Sequence, residues 1–202
     1  MPHRLPFVLA VPLGALLGLL VSTRLAAPSS GPRAGTALRM DVEEVLQRSE
    51  LVVEARVLSA RPHRVGEGVI CTDFELEVER TFWGEDHPAR TVRLPGGVLP
   101  SGRGMLLPGM PPVEEGEDLL LFLGPEAASG LQMPTGLGQG KYRLVREPDG
   151  GRLAVRTAED LVLVAGGRAR RVNGGDVVDY AELVGRLEAA AQVRRAAEEG
   201  GR

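Results

Sequence analysis

Three groups of residues in this chain have types and spacing that chemistry could use. The first is Gly136-Leu137-Gly138-Gln139-Gly140-Lys141, glycines closed by a lysine. A phosphate-binding loop cradles anionic oxygens with backbone N–H groups and follows its lysine with Ser or Thr. Here Tyr142 follows the lysine, and Thr135 stands where the first glycine belongs. A dinucleotide fingerprint would need a glycine at 141 and a helix beyond it, whereas KYRLVR reads as strand. The segment is expected to be a flexible turn, and it implies no cofactor.

The second group is the row Asp73, Glu75, Glu77 and Glu79. Carboxylates suit hard cations. Residues two apart on a strand face lie roughly 6.5–7 Å from one another, too far for a compact cage. No metal is expected, and the row reads as a solvated strand face. The third group is Cys71 with His63 and His87. One cysteine forms no internal bridge, and these three residues fall short of a four-ligand zinc site. Neither histidine adjoins a strained nucleophile turn. Cys71 shares the parity of the acidic row, so its thiol is expected outside unless a bulge near Ile70 reverses it. The chain is read as non-enzymatic, with no catalytic residue assigned. One enzymatic alternative stays open, a hydrolase using paired carboxylates, because any two of the 27 acids could meet in space.

Composition bounds the rest. A chain of 202 residues with 43% hydrophobic content supports one domain with a real core. The net charge of −3 gives no electrostatic footprint for nucleic acid. Phe7–Val21 is an uncharged apolar run behind Arg4. It is shorter than the ~20 residues of a membrane span and reads as an export signal. Small residues at Ala26-Ala27 and at Ala34–Ala37 offer cleavage sites after Ala27 or Ala37, and a retained anchor is the alternative. Residues 1–37 are thus read as signal and linker, placing the mature protein outside the cytoplasm, secreted or in the envelope. Their removal takes Arg4, Arg24 and Arg33 and brings the net charge from −3 to −6.

The elements that must position any site follow from periodicity. Asp41 with Glu44 makes a capping box, with Met40 and Val45 as a staple, for a helix over 42–48. In 51–61, Val53, Ala55 and Val57 alternate with Glu54 and Arg56, a half-buried strand. RPHRVGEG is read as a turn. In 68–84, Phe74, Leu76, Val78 and Phe82 share one parity, with the acids on the other. RTVRL (90–94), DLLLFLG (118–124), KYRLVRE (141–147), RLAVR (152–156) and DLVLVAG (160–166) supply further strands, with PDGG as a hairpin turn. DLLLFLG is apolar on both parities and should be covered on both sides. From Asp179 the period becomes helical, with Tyr180, Leu183, Val184, Leu187 and Ala191 in one stripe over 180–198.

SELVVEARVLSA, TDFELEVERTFWGE, TVRLPGG and GEDLLLFLG together resemble a widespread family of exported bacterial proteins of unassigned function. The match covers about 38–125 and departs at Ala55 and Trp83. The strand order is also similar to the OB-like barrel of netrin-type modules and tissue inhibitors of metalloproteinases. The N-terminal cysteine with which those inhibitors hold a protease's zinc has no counterpart here. What the resemblance implies is a mainly β domain over 38–198, an antiparallel OB-like β-barrel with a short N-terminal helix and a C-terminal amphipathic helix. The implied function is an exported protein-binding module, its partner another exported protein such as a protease; a structural envelope component is a further alternative. The candidate contact is LPGGVLPSGRGMLLPGMPP (94–112), a long connection of turn residues carrying Met105, Leu106, Leu107 and Met110. These four either plug the end of the barrel or meet a partner.

Overall fold

The first helix forms where its cap places it. The computed structural model describes residues 34–157, 161–171 and 175–201. The apolar run Phe7–Val21 and the small residues at Ala26-Ala27 lie outside them. Strand β1 (Gly35–Leu38) precedes α1 (Val42–Gln47). The Asp41 carboxylate accepts from the Glu44 N–H at 2.8 Å, and Glu44 accepts from the Asp41 N–H at 3.1 Å, the reciprocal box.

The long strands follow as β2 (Leu51–Val65) and β3 (Val69–Trp83), then β4 (Ala89–Pro95) and the short pair β5 (Gly97–Val98) and β6 (Gly104–Met105). Next come β7 (Asp118–Leu123), a 3₁₀ turn (Leu137–Gly140), β8 (Lys141–Arg146), β9 (Arg152–Thr157), β10 (Leu161–Ala165), β11 (Arg168–Arg171), β12 (Gly175–Asp179) and α2 (Tyr180–Gly200). The strand β2 runs through the expected turn at RPHRVGEG and leaves only 66–68 to reverse the chain. On its β7 side Pro62 meets no ladder, because β7 has already ended at the Arg56–Asp118 register, and on the other it stands opposite Thr72 of β3.

Seven strands form one antiparallel sheet in the order β12-β9-β8-β7-β2-β3-β4, and β1-β10-β11 form a second of three strands. No closed barrel is found among the described residues; β4 and β12 end the large sheet. Its two faces build two cores. On one side α1 and α2 bring Val45, Leu46, Leu183 and Leu187 onto Val52, Leu120, Phe122 and Tyr142. On the other, Leu119, Leu121 and Leu123 meet Val53, Ala55, Phe74, Leu76 and Val92, with Met110 and Val113 packed over them. The central strand β7 therefore feeds both cores, as its unbroken apolar run requires. Asp179 caps α2 through the Glu182 N–H at 2.9 Å. Arg194 of α2 donates to carbonyls at the end of α1, that of Leu46 at 2.8 Å and, two residues beyond the helix, that of Ser49 at 2.7 Å.

Three expectations from alternation are corrected. Phe82 does not join Phe74 and Leu76 but packs under α2, because the register shift opposite Glu54/Ala55 inserts one extra residue, Glu79, in β3 and reverses its parity. Glu54 is buried at 3% exposure, because β9 and α2 cover the face that alternation assigns to water. The glycine segment forms a 3₁₀ turn over Leu137–Gly140, with Gly138, Gln139 and Gly140 buried, and Lys141 already belongs to β8. The Gln139 side chain ties it to the start of α1, accepting from the Met40 N–H at 2.9 Å and donating to the Leu38 carbonyl at 2.8 Å.

Candidate functional site

Beyond Val57, β2 and β3 continue past the end of β7 and carry β4 with them. The chain from Leu94 to Glu114 folds back across this extension and leaves an apolar groove of about 560 Å³. Its floor includes Ala60, Pro62, Thr72, Phe74 and Leu94; its walls include Val98, Met105, Leu107, Met110 and Val113. Gly97 brings the wall close to the floor. It sits at φ +132°, and a Cβ there would come within 2.3 Å of the Thr72 hydroxyl oxygen, so a side chain would push the wall off β3. That hydroxyl donates to the Gly96 carbonyl at 2.8 Å and is already satisfied.

All four sequence-predicted contact residues line this groove, but they do not act alike. Met105, Leu107 and Met110 are half-buried. Leu106 is 72% exposed and Val98, across the β5–β6 pair, 65% exposed. The plug expectation therefore fails at Leu106, which points away from the core, whereas Met110 packs against the lower one.

The strap over the groove is pinned from behind. Lys141, the chain's single lysine, reaches Glu117 Oε1 at 2.6 Å and donates to the Pro112 carbonyl, both charged side chains being 6–7% exposed. Burial pushes the Lys141 ammonium below its ordinary pKa, with Glu117 opposing the shift. The Gly138 N–H donates to the Gly109 carbonyl at 2.8 Å, and Val57 exchanges hydrogen bonds with Gly116 and Glu117. These contacts were not legible locally, because Lys141 stands 24 residues from Glu117 in a segment that reads as a turn.

The catalytic possibilities look different in three dimensions. His63 is the register partner of Cys71, and Asp73 Oδ2 lies 3.7 Å from His63 Nδ1, so thiol, imidazole and carboxylate share one sheet face. The thiol is nevertheless sealed. Cys71 has no exposed surface, and burial raises its pKa, while Arg93 lowers it and Asp73 adds to the rise. The register there is continuous from Val69 to Glu75, so no bulge turned the thiol inward. It keeps the parity of the acids and is covered where it stands, between His63 on β2 and Pro95 on β4. A thiol reagent is expected to leave Cys71 unmodified in the folded protein and to modify it once denaturant is added. Rapid modification under native conditions would show that this strand pair opens.

Among the described residues, the half-buried and buried carboxylates each face a cation. Asp73 takes Arg93 in a fork at 2.7 and 3.1 Å, which holds its carboxyl below the ordinary range against the opposing effect of burial. Glu54 takes Arg152 at 2.6 Å and accepts from the Tyr180 hydroxyl at 2.5 Å, with the guanidinium 4.0 Å from the Tyr180 ring centre. Glu43 takes Arg186, and Glu117 takes Lys141. Among the described residues, no group of three or more His, Cys, Asp or Glu side chains gathers in a way that could hold a metal ion. The groove is the one feature built from the predicted residues, and it offers apolar surface rather than reacting groups. No protein family, curated protein or solved structure matches this chain.

Proposed function

We propose that this protein is an exported, non-enzymatic binding module that holds another exported protein at the groove under Leu106. The observation that carries the reading is the pairing of Leu106 and Val98, exposed at the rim, with an apolar cavity whose strap is fixed by buried contacts. An exposed apolar rim around a formed pocket is where a partner's side chain gains most from leaving water. The OB-like reading, and with it the resemblance to netrin-type modules, draws support from the antiparallel run β7-β2-β3-β4 and from segment 131–134. That segment bridges Arg93 of β4 through Leu131 and Leu123 of β7 through Pro134. A protease is the partner class the resemblance suggests.

Leu106→Ser is expected to change folding stability by less than about 0.5 kcal/mol, because the side chain is already in water. Capture of the partner from the host's secreted fraction should fall sharply with the same variant. A large drop in melting temperature, or undiminished capture, would remove Leu106 from the contact.

Export also favours one of the two cleavage sites. β1 pairs in register with β10 from Gly35↔Leu161 to Leu38↔Val164, so cutting after Ala37 would discard the strand. Cutting after Ala27 keeps it. Intact-mass measurement of protein recovered outside the cytoplasm is expected to show a chain starting at Pro28. A chain starting at Leu38 would mean that β1 is dispensable, and a chain retaining Met1–Val21 would mean an anchor.

A further inference from the structure

Between β5 and β6 the chain runs through Leu99, Pro100, Ser101, Gly102 and Arg103, a hairpin tip next to the outer wall of the groove. Pro100, Ser101, Gly102, Arg103 and Gly104 are all exposed, and a Cβ on Gly102, at φ +81°, would meet nothing within 4 Å. Among the described residues the Arg103 guanidinium has no hydrogen bond or ion pair, and it takes no part in lining the groove. Little holds the tip. Its register pairs are Gly97↔Met105 and Val98↔Gly104. The Leu99 N–H donates to the Arg103 carbonyl at 2.8 Å, and the Gly102 N–H to the Leu99 carbonyl at 2.8 Å.

The other arginines are held differently. Every other described one lies in a strand of four residues or more, in α2, at the C-cap of α1, or beside the buried Met40. A protease takes its substrate extended, so a bond inside a ladder or a helix must first be unfolded. At this hairpin, opening the short pairing is enough, and cleavage follows the population of the open form. Gly102 and Gly104 put no side chain on either side of the arginine. Exposed tips of small residues are where folded chains are nicked. A cation without a partner of its own selects the class of protease. The fit is a specificity pocket that ends in a carboxylate, onto which the guanidinium forks.

We propose that the Arg103–Gly104 bond is a processing site for an arginine-specific protease, and that the cut unfastens the outer wall of the groove. Water adds across the peptide bond, leaving a carboxylate on Arg103 and an ammonium on Gly104. The two pieces stay together, because β2 of the first pairs with β7 of the second from Leu51↔Leu123 to Arg56↔Asp118. The strap keeps its anchors from Gly109 onward, in the Gly138 N–H and in Lys141. Residues 104–107 come loose, the exposed Leu106 among them. The loss of partner binding that follows rests on the groove reading; the cut itself does not.

Brief digestion of the folded chain with trypsin tests this, read by intact mass and by the new N-terminus. Cuts at Arg4, Arg24 or Arg33 fall ahead of the described residues and leave that readout unchanged. The expected first cut beyond them is at Arg103–Gly104, about tenfold or more faster than at any other bond. Arg103→Gln should slow the loss of an uncut 34–201 stretch by a similar factor. A lysine-specific protease should leave the parent chain whole, because Lys141 is 7% exposed, and should cut Arg103→Lys at the tip. A first cut elsewhere in 34–201, Arg103→Gln cut as fast as the parent, or Arg103→Lys resisting the lysine-specific protease overturns the site. The nicked chain should elute as one particle, with hydrogen exchange raised at 105–107 and unchanged in β7. Separation of the pieces, or unchanged exchange at 105–107, overturns the unfastening. Leu106→Ser should be cut as fast as the parent, so failure of the groove reading and failure of this one are separable.

Discussion

Replacing Glu117 with Gln is expected to cost the fold about 3–5 kcal/mol, because it strands the Lys141 ammonium in a site only 7% exposed. Thermal denaturation should show a fall in melting temperature of roughly 10 °C. The deficit should also depend on pH in a definite sense. The pKa of Lys141 is lower folded than unfolded, so between the two values the unfolded chain binds more protons. Stability therefore rises with pH across that window, and the burden of the buried charge is full below it. Without Glu117 the folded pKa falls further and the window widens downward. The variant's deficit should accordingly shrink as pH climbs toward about 10, near the ordinary lysine value. A pH-independent deficit would point to lost packing instead. Replacing both partners together, Glu117→Leu with Lys141→Met, should recover much of the loss, since no charge is then left buried. Because the same lysine holds Pro112, the single variant should also loosen the strap and weaken capture at the groove.

Arg152→Ala is expected to cost a similar amount, about 3–5 kcal/mol, through the Glu54 carboxylate, whose side chain is 4% exposed. Among the described residues Arg152 is the cation bound to Glu54, and its removal leaves the hydroxyl of Tyr180 as the remaining donor there. Burial, together with the hydrogen bond to Glu54, holds that hydroxyl above its ordinary pKa, so at neutral pH it stays protonated and donates. The network joins β2, β9 and the first residue of α2, so its loss should loosen the end of the long helix. Hydrogen exchange at the first turn of α2 should rise with the fall in stability. A double-mutant cycle with Glu54→Gln measures the coupling, and additive effects would show that the contact contributes little.

Local order was legible wherever one residue's chemistry or a short period decides the outcome. The Asp41–Glu44 box is such a case, and α1 forms on it because cap and helix lie within one turn of chain. The stripe Leu183–Leu187–Ala191 faces the core, since helical spacing alone gathers apolar groups on one side. The run at 119–123 is buried on both faces because every residue in it is apolar. PDGG turns β8 into β9 for the same local reason.

Much of the candidate site was not local. Met105, Leu106, Leu107 and Met110 were marked by type, and they do line one groove, but which of them faces water depends on where the strap lands. Alternation in 51–57 gives Glu54 to the solvent, yet α2 arrives more than a hundred residues later and closes over it. Parity in 74–82 groups Phe82 with Phe74, and a bulge at Glu79, which costs one residue and leaves no compositional mark, undoes the grouping. Cys71 keeps its predicted side and is still sealed, because parity fixes direction and only neighbouring strands fix cover. Period and capping determined the helices, most of the strands and the one segment worth testing for contact. Burial of Glu54, Lys141 and Cys71 and the open sheet in place of a barrel were decided by tertiary structure alone. Each depends on pairings between distant stretches, whose energies no window of neighbouring residues contains.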